Sequence, residues 1–222
     1  MTQKERDSER LKTLLEPVQE LWDSGQLLVA GADEVGRGPL AGPVMAACVV
    51  MPKEPLLPGI YDSKRVSAKK RERLAEAIKE TAAAFGIGIA SPEEIDELNI
   101  REATRKAFER SIDAMVQSLG RYPDHLFTDS VQLDLPFPVT PMVRADQKVY
   151  AVAAASIVAK VARDRLMVET YAEQYPEYGF ERHKGYGTEE HRRAIIEHGA
   201  TAIHRQSFLV NRETWKERLQ GP

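Results

Sequence analysis

The pattern of apolar and polar positions along the chain predicts five short strands. Continuous apolar runs over 27–33 and 44–51 predict buried strands, and the Gly/Pro-rich turn between them indicates antiparallel neighbours. Shorter strands are predicted over 85–90, 124–129 and 139–143. The strands are separated by long polar or helical stretches, so the pattern favours one sheet with helices around it rather than an all-β fold.

Helical periodicity accounts for most of the remaining chain. Helices are predicted over 4–22, 67–83, 91–119 with a break near Asn99, 149–171 and 188–198. Because strands and helices mix without a clear break, the sequence predicts one α/β domain with a helical C-terminal extension. The predicted divisions are an N-terminal helix over 1–26, a core over 27–175, and an extension over 176–222 that packs on the core.

Composition changes this picture little but excludes some functions. The 222 residues are 42% hydrophobic and 29% charged, an ordinary globular balance, and the net charge is −3. A nucleic-acid substrate would therefore need local basic patches. The single cysteine, Cys48, excludes an internal disulfide and a cysteine metal site. The polar N-terminus predicts neither a signal peptide nor a membrane span, and hence a cytoplasmic protein.

Acidic residues follow three of the predicted strands. Asp33 and Glu34 follow the first, Asp129 ends the fourth, and Asp146 comes shortly after the fifth. Four converging carboxylates repel one another, and divalent cations would remove that cost. Oxygen-only ligands suit Mg²⁺ or Mn²⁺, and two such ions can support phosphoryl displacement. Acids at strand ends are also common as caps and solvated turn residues, so the pattern leaves that alternative open.

Two adjacent acids impose a geometric condition on the first strand. Neighbouring strand residues point to opposite faces, so Asp33 and Glu34 share a site only if the strand ends or bulges between them. The stretch 36–41 also matches the dinucleotide-binding pattern G-x-G-x-x-A. That pattern needs a helix immediately after it, whereas Pro39 and Pro43 lead into a predicted strand, which disfavours the nucleotide interpretation.

Basic residues cluster in several short stretches. The clusters comprise Lys64, Arg65, Lys69, Lys70, Arg71 and Arg73, then Lys160, Arg163 and Arg165, then Arg182 and Lys184. Each is typical of a solvated helix face, but together they suggest a track for a polyanion. Tyr186 lies between two glycines, where an aromatic ring could stack on a sugar or base, or simply occupy a turn.

The chain resembles the bacterial ribonuclease HII family over about 28–208. The matching stretches are 32–43, 62–64, the strand end at Asp129, 153–164, 183–188 and 204–208. The resemblance implies a ribonuclease H-like α/β fold, with a mixed five-stranded sheet flanked by helices. It also implies an endonuclease that cuts the RNA strand of RNA–DNA hybrids, and that cuts 5′ of single ribonucleotides in duplex DNA during ribonucleotide excision repair.

The resemblance also implies roles for individual residues. The family's four metal-binding acids fall on Asp33, Glu34, Asp129 and Asp146, with Mg²⁺ or Mn²⁺ as cofactor. Its ribose-reading motif falls on Gly36, Arg37 and Gly38, and its junction-recognising tyrosine falls on Tyr186. Ser63, Lys64, Lys160 and Arg163 match positions suited to backbone phosphates.

Some features depart from the family pattern or leave rivals open. Ser130 follows the third acid and Ala145 precedes the fourth, where glycine is usual in the family. Ribonuclease HIII is a rival, disfavoured because only about 26 residues precede the first strand. A catalytically silent hybrid-binding module is a second rival, disfavoured by the presence of all four acids. We expect a monomer without membrane association, and the tail over 211–222 shows no aromatic pair of the kind that binds sliding clamps.

Overall fold

The protein was analysed as a computed structural model that describes residues 3–60, 66–210 and 215. The predicted phosphate-binding residues Ser63 and Lys64 and most of the C-terminal tail lie outside the described residues. The strands are β1 Val29–Val35, β2 Val44–Val50, β3 Ala84–Ala90, β4 His125–Asp129 and β5 Val139–Met142. The helices are α1 Gln3–Asp23, α2 Ala68–Thr81, α3 Pro92–Leu119, α4 Tyr150–Arg165, α5 Ala172–Gln174, α6 Phe180–His183 and α7 Glu189–His198.

The five strands form one mixed sheet, as predicted. Its order is β3-β2-β1-β4-β5. β1 pairs antiparallel with β2 and parallel with β4, and β4 pairs parallel with β5. Because β1, β4 and β5 run in the same direction, their carboxyl ends lie along one edge of the sheet, where α/β proteins commonly place their ligands.

Contacts divide the chain into two compact units. The first comprises Met1–Val35, Met45–Ile89 and Arg105–Val161, and contains the sheet. The second comprises Gly36–Val44, Ala90–Thr104 and Ala162–Pro222. The proposed division into N-terminal helix, core and extension stays a prediction.

The first unit packs helices against the sheet through small side chains. β2 is buried along its whole length, which explains its continuous apolar sequence. The alanine-rich face of α4 lies directly on β1, since a Cβ added to Gly31 would stand 2.2 Å from the backbone nitrogen of Val152. α1 contributes Val18 and Trp22 to a buried cluster with Val29, as its helical spacing predicted.

The second unit has its own apolar core. Tyr178 and Phe180 stack at 5.5 Å between ring centroids, beside Ile195 and Met167. The predicted break in the third helix occurs at Asn99, whose φ is 72°. Its side-chain oxygen accepts hydrogen bonds from the backbone nitrogens of Arg101 and Glu102, at 2.9 and 3.2 Å, and so caps the helical segment that follows. Among the described residues, no helix has the length and apolar character needed to span a bilayer.

Candidate functional site

The structure places the four predicted acids near the carboxyl edge of the parallel strands. Asp33 and Glu34 lie near the end of β1, and Asp129 is the last residue of β4. Asp146 lies in a 3₁₀ turn, Ala145–Gln147, shortly after β5. The strand-end placement inferred from sequence is therefore confirmed, because parallel pairing brings these three strand ends to one edge.

Asp33 is a buried carboxylate in an unfavourable electrostatic environment. Only 7% of the residue is exposed, and its Oδ1 accepts a hydrogen bond from the backbone nitrogen of Glu34 at 2.8 Å. Burial raises its pKa well above the usual value, and the charge of Glu34 raises the pKa further. A hydrogen bond with the Ser156 side chain lowers the pKa, but the charges of Asp129 and Asp146 raise it again. The four carboxylates are thus electrostatically coupled.

Asp129 ties the end of β4 to the turn that carries Asp146. Its Oδ1 accepts hydrogen bonds from the backbone nitrogens of Arg144 and Ala145, at 2.9 and 3.4 Å. It also accepts one from the Ser130 hydroxyl at 3.0 Å. Asp146, in the turn so anchored, is only 5% exposed.

The strand distortion that was set as a condition for Asp33 and Glu34 to share a site is not observed. β1 keeps a regular register with β2 across both acids, with Asp33 opposite Ala47 and Glu34 opposite Ala46. The strand neither ends nor bulges between the two acids, because β2 continues to pair after the pairing with β4 has stopped at Ala32. Glu34 still acts on Asp33 through its charge, so alternation does not isolate the two carboxylates.

The chemistry of these donors fits a divalent metal ion. All four offer carboxylate oxygens, the ligands that Mg²⁺ and Mn²⁺ prefer. A cation would compensate the repulsion and the desolvation that raise the pKa of Asp33. Across 3–60, 66–210 and 215, no three Asp, Glu, His or Cys side chains are grouped closely enough to form a metal cage as they stand. The four acids form a coupled set rather than a closed cage.

Ser130 adopts a backbone conformation that favours glycine, the residue that the family resemblance implies there. Its φ is 60°, in the left-handed region that glycine enters without steric cost. Serine bears some strain at this position, while its hydroxyl donates to the neighbouring Asp129. The departure from the family pattern therefore keeps the backbone turn beside the acid. The second departure, Ala145, is fully buried.

The glycine-flanked arginine, Arg37, lies in an exposed loop of the second unit. Arg37 and Gly38 are exposed, whereas Gly36 is buried with a φ of 92°. A Cβ on Gly36 would stand 2.3 Å from Nε of Arg163, so the backbone conformation and the packing both require glycine. Among the described residues, a Cβ on Gly38 would meet no atom within 4 Å. The second glycine is therefore not required by packing within the chain.

Arg205 holds this loop from beneath, a role that the sequence reading missed. The residue is completely buried, and its Nη2 and Nη1 donate to the carbonyl oxygens of Gly36 and Arg37 at 2.6 and 3.0 Å. Its Nε donates to the Gly42 carbonyl at 2.9 Å. Burial and the charge of Arg163 lower the pKa of Arg205 to about 9, so the guanidinium stays charged at neutral pH. Its position in the matching stretch 204–208 was the available sequence signal.

Arg163 is corrected from a phosphate contact to a structural residue. It is completely buried, and its three nitrogens Nε, Nη1 and Nη2 donate to the carbonyls of Pro43, Lys184 and Ala41, at 2.9 to 3.0 Å. Burial lowers its pKa. The guanidinium already uses both edges on backbone acceptors, so it is not presented to a phosphate. Lys160, the other predicted cation on this helix, is half-buried and stays a prediction.

Tyr186 is partly exposed, as its glycine-flanked position predicted. It is 40% exposed, and the Arg163 guanidinium carbon lies 5.9 Å from its ring centroid. Its backbone oxygen accepts from Nδ1 of His191 at 3.0 Å. The buried His191 side chain thereby supports the segment that carries Tyr186.

His191 and His204 form a buried, hydrogen-bonded pair that sequence spacing did not reveal. The backbone nitrogen of Thr201 donates to Nδ1 of His204 at 2.9 Å, which assigns the proton of His204 to Nε2. That Nε2 lies 3.1 Å from Nε2 of His191 and donates to it. Burial lowers the pKa of His191 to about 3 and that of His204 to about 4. Both rings are therefore neutral at physiological pH.

The fold and its acidic edge define the class: a ribonuclease H-like protein with carboxylates at the ends of parallel strands. The family model of ribonuclease HII matches residues 30–211. The chain is 47% identical over 205 residues to ribonuclease HII of Enterococcus faecalis, covering 92% of this chain and 78% of the relative. The ribonuclease H2 structure from Pyrococcus horikoshii matches at a TM-score of 0.65 and 28% identity, covering 87% of this chain and 99% of that one.

A further solved structure supports the fold alone. It is Bst-RNase HIII in complex with Mn²⁺, with a TM-score of 0.64 and 18% identity, covering 88% of this chain and 71% of that one. The chain belongs to the ribonuclease HII family. It is a metal-dependent endoribonuclease that degrades RNA in RNA–DNA hybrids, as the resemblance implied.

Proposed function

We propose that Asp33, Glu34, Asp129 and Asp146 together bind the divalent metal ions that this endonuclease requires. The observation that supports the proposal most strongly is the environment of Asp33, where burial and three neighbouring carboxylates raise the pKa. A protein that keeps such a set together needs a compensating cation. These carboxylates would hold Mg²⁺ or Mn²⁺ as the cofactor, which would supply activation of water and stabilisation of the leaving oxygen.

Hydrogen bonds within the chain orient two of the four acids. Asp33 is held in place by the backbone nitrogen of Glu34 and the Ser156 side chain. Asp129 is aligned through its Oδ1, so its second oxygen, Oδ2, is the natural ligand atom. The phosphodiester bond 5′ to a ribonucleotide is hydrolysed, giving a 3′-hydroxyl and a 5′-phosphate.

Recognition of the ribonucleotide is assigned to the second unit. Gly36, Arg37 and Gly38 sense the ribose 2′-hydroxyl, which distinguishes RNA from DNA. Gly38 supports this assignment, because nothing in the described chain requires glycine there and a ligand approaching the backbone would. Tyr186 contacts the RNA–DNA junction with its exposed ring. Lys160, Ser63 and Lys64 contact backbone phosphates.

The substrates proposed are RNA–DNA hybrids and duplex DNA that contains single ribonucleotides. We expect the enzyme to act as a monomer in ribonucleotide excision repair, and a cytoplasmic location stays a prediction. One cleavage assay tests these points with three duplexes: a continuous hybrid, DNA with one ribonucleotide, and DNA alone, each with and without Mg²⁺.

The assay gives a different result for each of the three candidate functions. Mg²⁺-dependent cutting of the single-ribonucleotide duplex supports the proposal. Cutting of the continuous hybrid alone would indicate the longer RNA requirement of a ribonuclease HIII. Binding of hybrids without cleavage, under any metal condition, would indicate a silent binding module.

A further inference from the structure

The buried guanidinium of Arg205 makes an unusually specific set of contacts with the exposed loop. Two of its nitrogens donate to consecutive peptide carbonyls, those of Gly36 and Arg37. The third donates to Gly42, at the far end of the same segment. The ring of Phe208 lies 5.1 Å from the guanidinium carbon and covers it. Arg205 is therefore fixed on several sides before any substrate binds.

The hydrogen bonds of Arg205 also determine the direction in which the neighbouring peptide N–H groups of the loop point. In a planar trans peptide the carbonyl oxygen and the following N–H point in opposite directions. The N–H groups of Arg37 and Gly38 therefore point away from the buried guanidinium. Both residues are exposed, and their two consecutive peptide N–H groups lie on the side of the loop that faces away from Arg205.

The two glycines show that the inner and outer sides differ. On the inner side, Gly36 is pressed against Arg163 and has no room for a Cβ. On the outer side, Gly38 has open space within the described chain. The tight side orients the loop, and the open side is where a ligand can approach the backbone.

We propose that Arg205 is a positioning residue that fixes the backbone of Gly36, Arg37 and Gly38 in the orientation that recognises a ribose 2′-hydroxyl. This inference rests on the proposed function of that loop. Arginine is required because only its planar fork reaches two consecutive carbonyls and a third acceptor at once. Lysine keeps the charge but has a single nitrogen, so it cannot hold the two peptides in a fixed relation.

A buried hydrogen bond elsewhere in the second unit supplies the control for this idea. Tyr178 is buried in the apolar core of that unit, and its hydroxyl donates to the Gly199 carbonyl at 2.8 Å. Tyr178→Phe therefore removes a bond to a backbone carbonyl without removing a bond to Gly36 or Arg37. Comparing Arg205→Lys with Tyr178→Phe separates loop orientation from the general packing of the second unit.

The measured quantity is ribose discrimination in the absence of catalysis. It is the ratio of dissociation constants for an all-DNA duplex and the same duplex with one ribonucleotide, determined by fluorescence anisotropy in EDTA. We expect Arg205→Lys to lower this ratio by about tenfold, the equivalent of one charge-assisted hydrogen bond. Tyr178→Phe should change it by no more than about twofold. With Mg²⁺ present, Arg205→Lys should raise KM more than it lowers kcat.

A milder variant keeps the proposal testable if Arg205→Lys does not fold. Phe208→Leu removes the ring beside the guanidinium but none of its hydrogen bonds, and should lower the ratio by about two- to threefold. An unchanged ratio in every folded Arg205 and Phe208 variant would overturn the proposal. So would equal losses in Arg205→Lys and Tyr178→Phe.

The same experiment separates this inference from the function on which it rests. If the wild-type protein shows no preference for the ribonucleotide duplex, the proposed recognition by the loop is wrong. If the wild type discriminates and the Arg205 variants do so equally well, only the positioning role is wrong. Mn²⁺ affinity should be the same in all these variants, because none of the substitutions touches the four acids.

Discussion

Both units bury charge, but they do so in opposite ways. The first unit collects carboxylates at one edge of the sheet, where burial and like charges raise the pKa of Asp33. The second unit buries Arg163 and Arg205, and each guanidinium donates to three backbone carbonyls. The Ser156 hydrogen bond offsets only part of the cost at Asp33, whereas the arginines have their acceptors within the chain.

This difference separates a site that needs a ligand from a scaffold that does not. Charges whose neighbours disfavour ionisation are typical of functional sites, because a bound ion or substrate completes them. Buried cations with a full set of acceptors instead fix the backbone around them. The acids are therefore expected to control chemistry, and the arginines to control the shape of the ribose-reading loop.

The largest expected effect comes from removing one acid. Asp129→Asn keeps the size and the backbone-facing oxygen of the side chain but removes a ligand charge, so kcat should fall by about a thousandfold or more. The free energy of unfolding without metal should not decrease, because a repulsive charge is lost. Asp134→Asn, an exposed acid on the loop after β4, is the matched control in a single-ribonucleotide cleavage assay. Near-normal cleavage by Asp129→Asn would contradict the assignment of the acids.

Alanine substitutions at Gly36 and Gly38 should have different effects on stability, because the two glycines lie on different sides of the loop. Gly36→Ala should destabilise the protein by about 3 kcal/mol, because it combines an unfavourable φ with a close contact to Arg163. Gly38→Ala should change the free energy of unfolding by less than about 0.5 kcal/mol yet weaken binding of the ribonucleotide duplex. Urea denaturation and anisotropy measure the two effects. Equal destabilisation by both variants would show that the outer side is also packed.

The third prediction concerns the neutral histidines of the second unit. Burial lowers the pKa of His191 to about 3 and of His204 to about 4. The unfolded chain therefore takes up protons first as the pH falls below about 6.5, and stability is lost in that range. Each such proton contributes about 1.4 kcal/mol per pH unit to the slope.

A substitution can isolate one of these protons. Urea denaturation between pH 7 and 4.5 should show a shallower loss of stability in His191→Asn, which keeps a donor for the Tyr186 carbonyl. Identical slopes in the wild type and His191→Asn would mean that His191 does not remain neutral in the folded protein.

The smallest expected effect is at the edge of the acidic site. Ser130 has a φ of 60°, so Ser130→Gly should relieve backbone strain and raise the free energy of unfolding by about 0.5 to 1 kcal/mol. Ser130→Ala is the control, since it removes the hydroxyl but keeps the strained backbone. Thermal denaturation compares the two variants. A loss of stability in Ser130→Gly would show that the hydroxyl bond to Asp129 outweighs the strain.

Sequence reasoning succeeded where local pattern decides the structure. Continuous apolar runs identified β1 and β2 as buried antiparallel neighbours, and the weak helical pattern at Asn99 located the break in α3. Acids after apolar runs pointed to the carboxyl edge of the sheet. The mixed five-stranded sheet, by contrast, came from the family resemblance, and the order of its strands was not predicted, since pairing between distant segments leaves no local signal.

The errors arose where tertiary packing overrides the usual preference of a residue type. Arg163 was assigned to a backbone phosphate from the family resemblance, and arginines are in general mostly exposed. Its partners are carbonyls from segments far along the chain, which no local pattern reveals. Arg205 was missed for the same reason. The condition of a bulge between Asp33 and Glu34, drawn from side-chain alternation, is also not met, because β2 pairs alongside both residues.

Isothermal titration calorimetry of Mn²⁺ binding without nucleic acid is the decisive test of whether these acids are metal ligands. We expect that the wild type binds Mn²⁺, that Asp129→Asn and Asp146→Asn weaken binding by about tenfold or more, and that Arg205→Lys leaves it within about twofold. Wild-type affinity in both acid variants would contradict the assignment of these carboxylates as metal ligands.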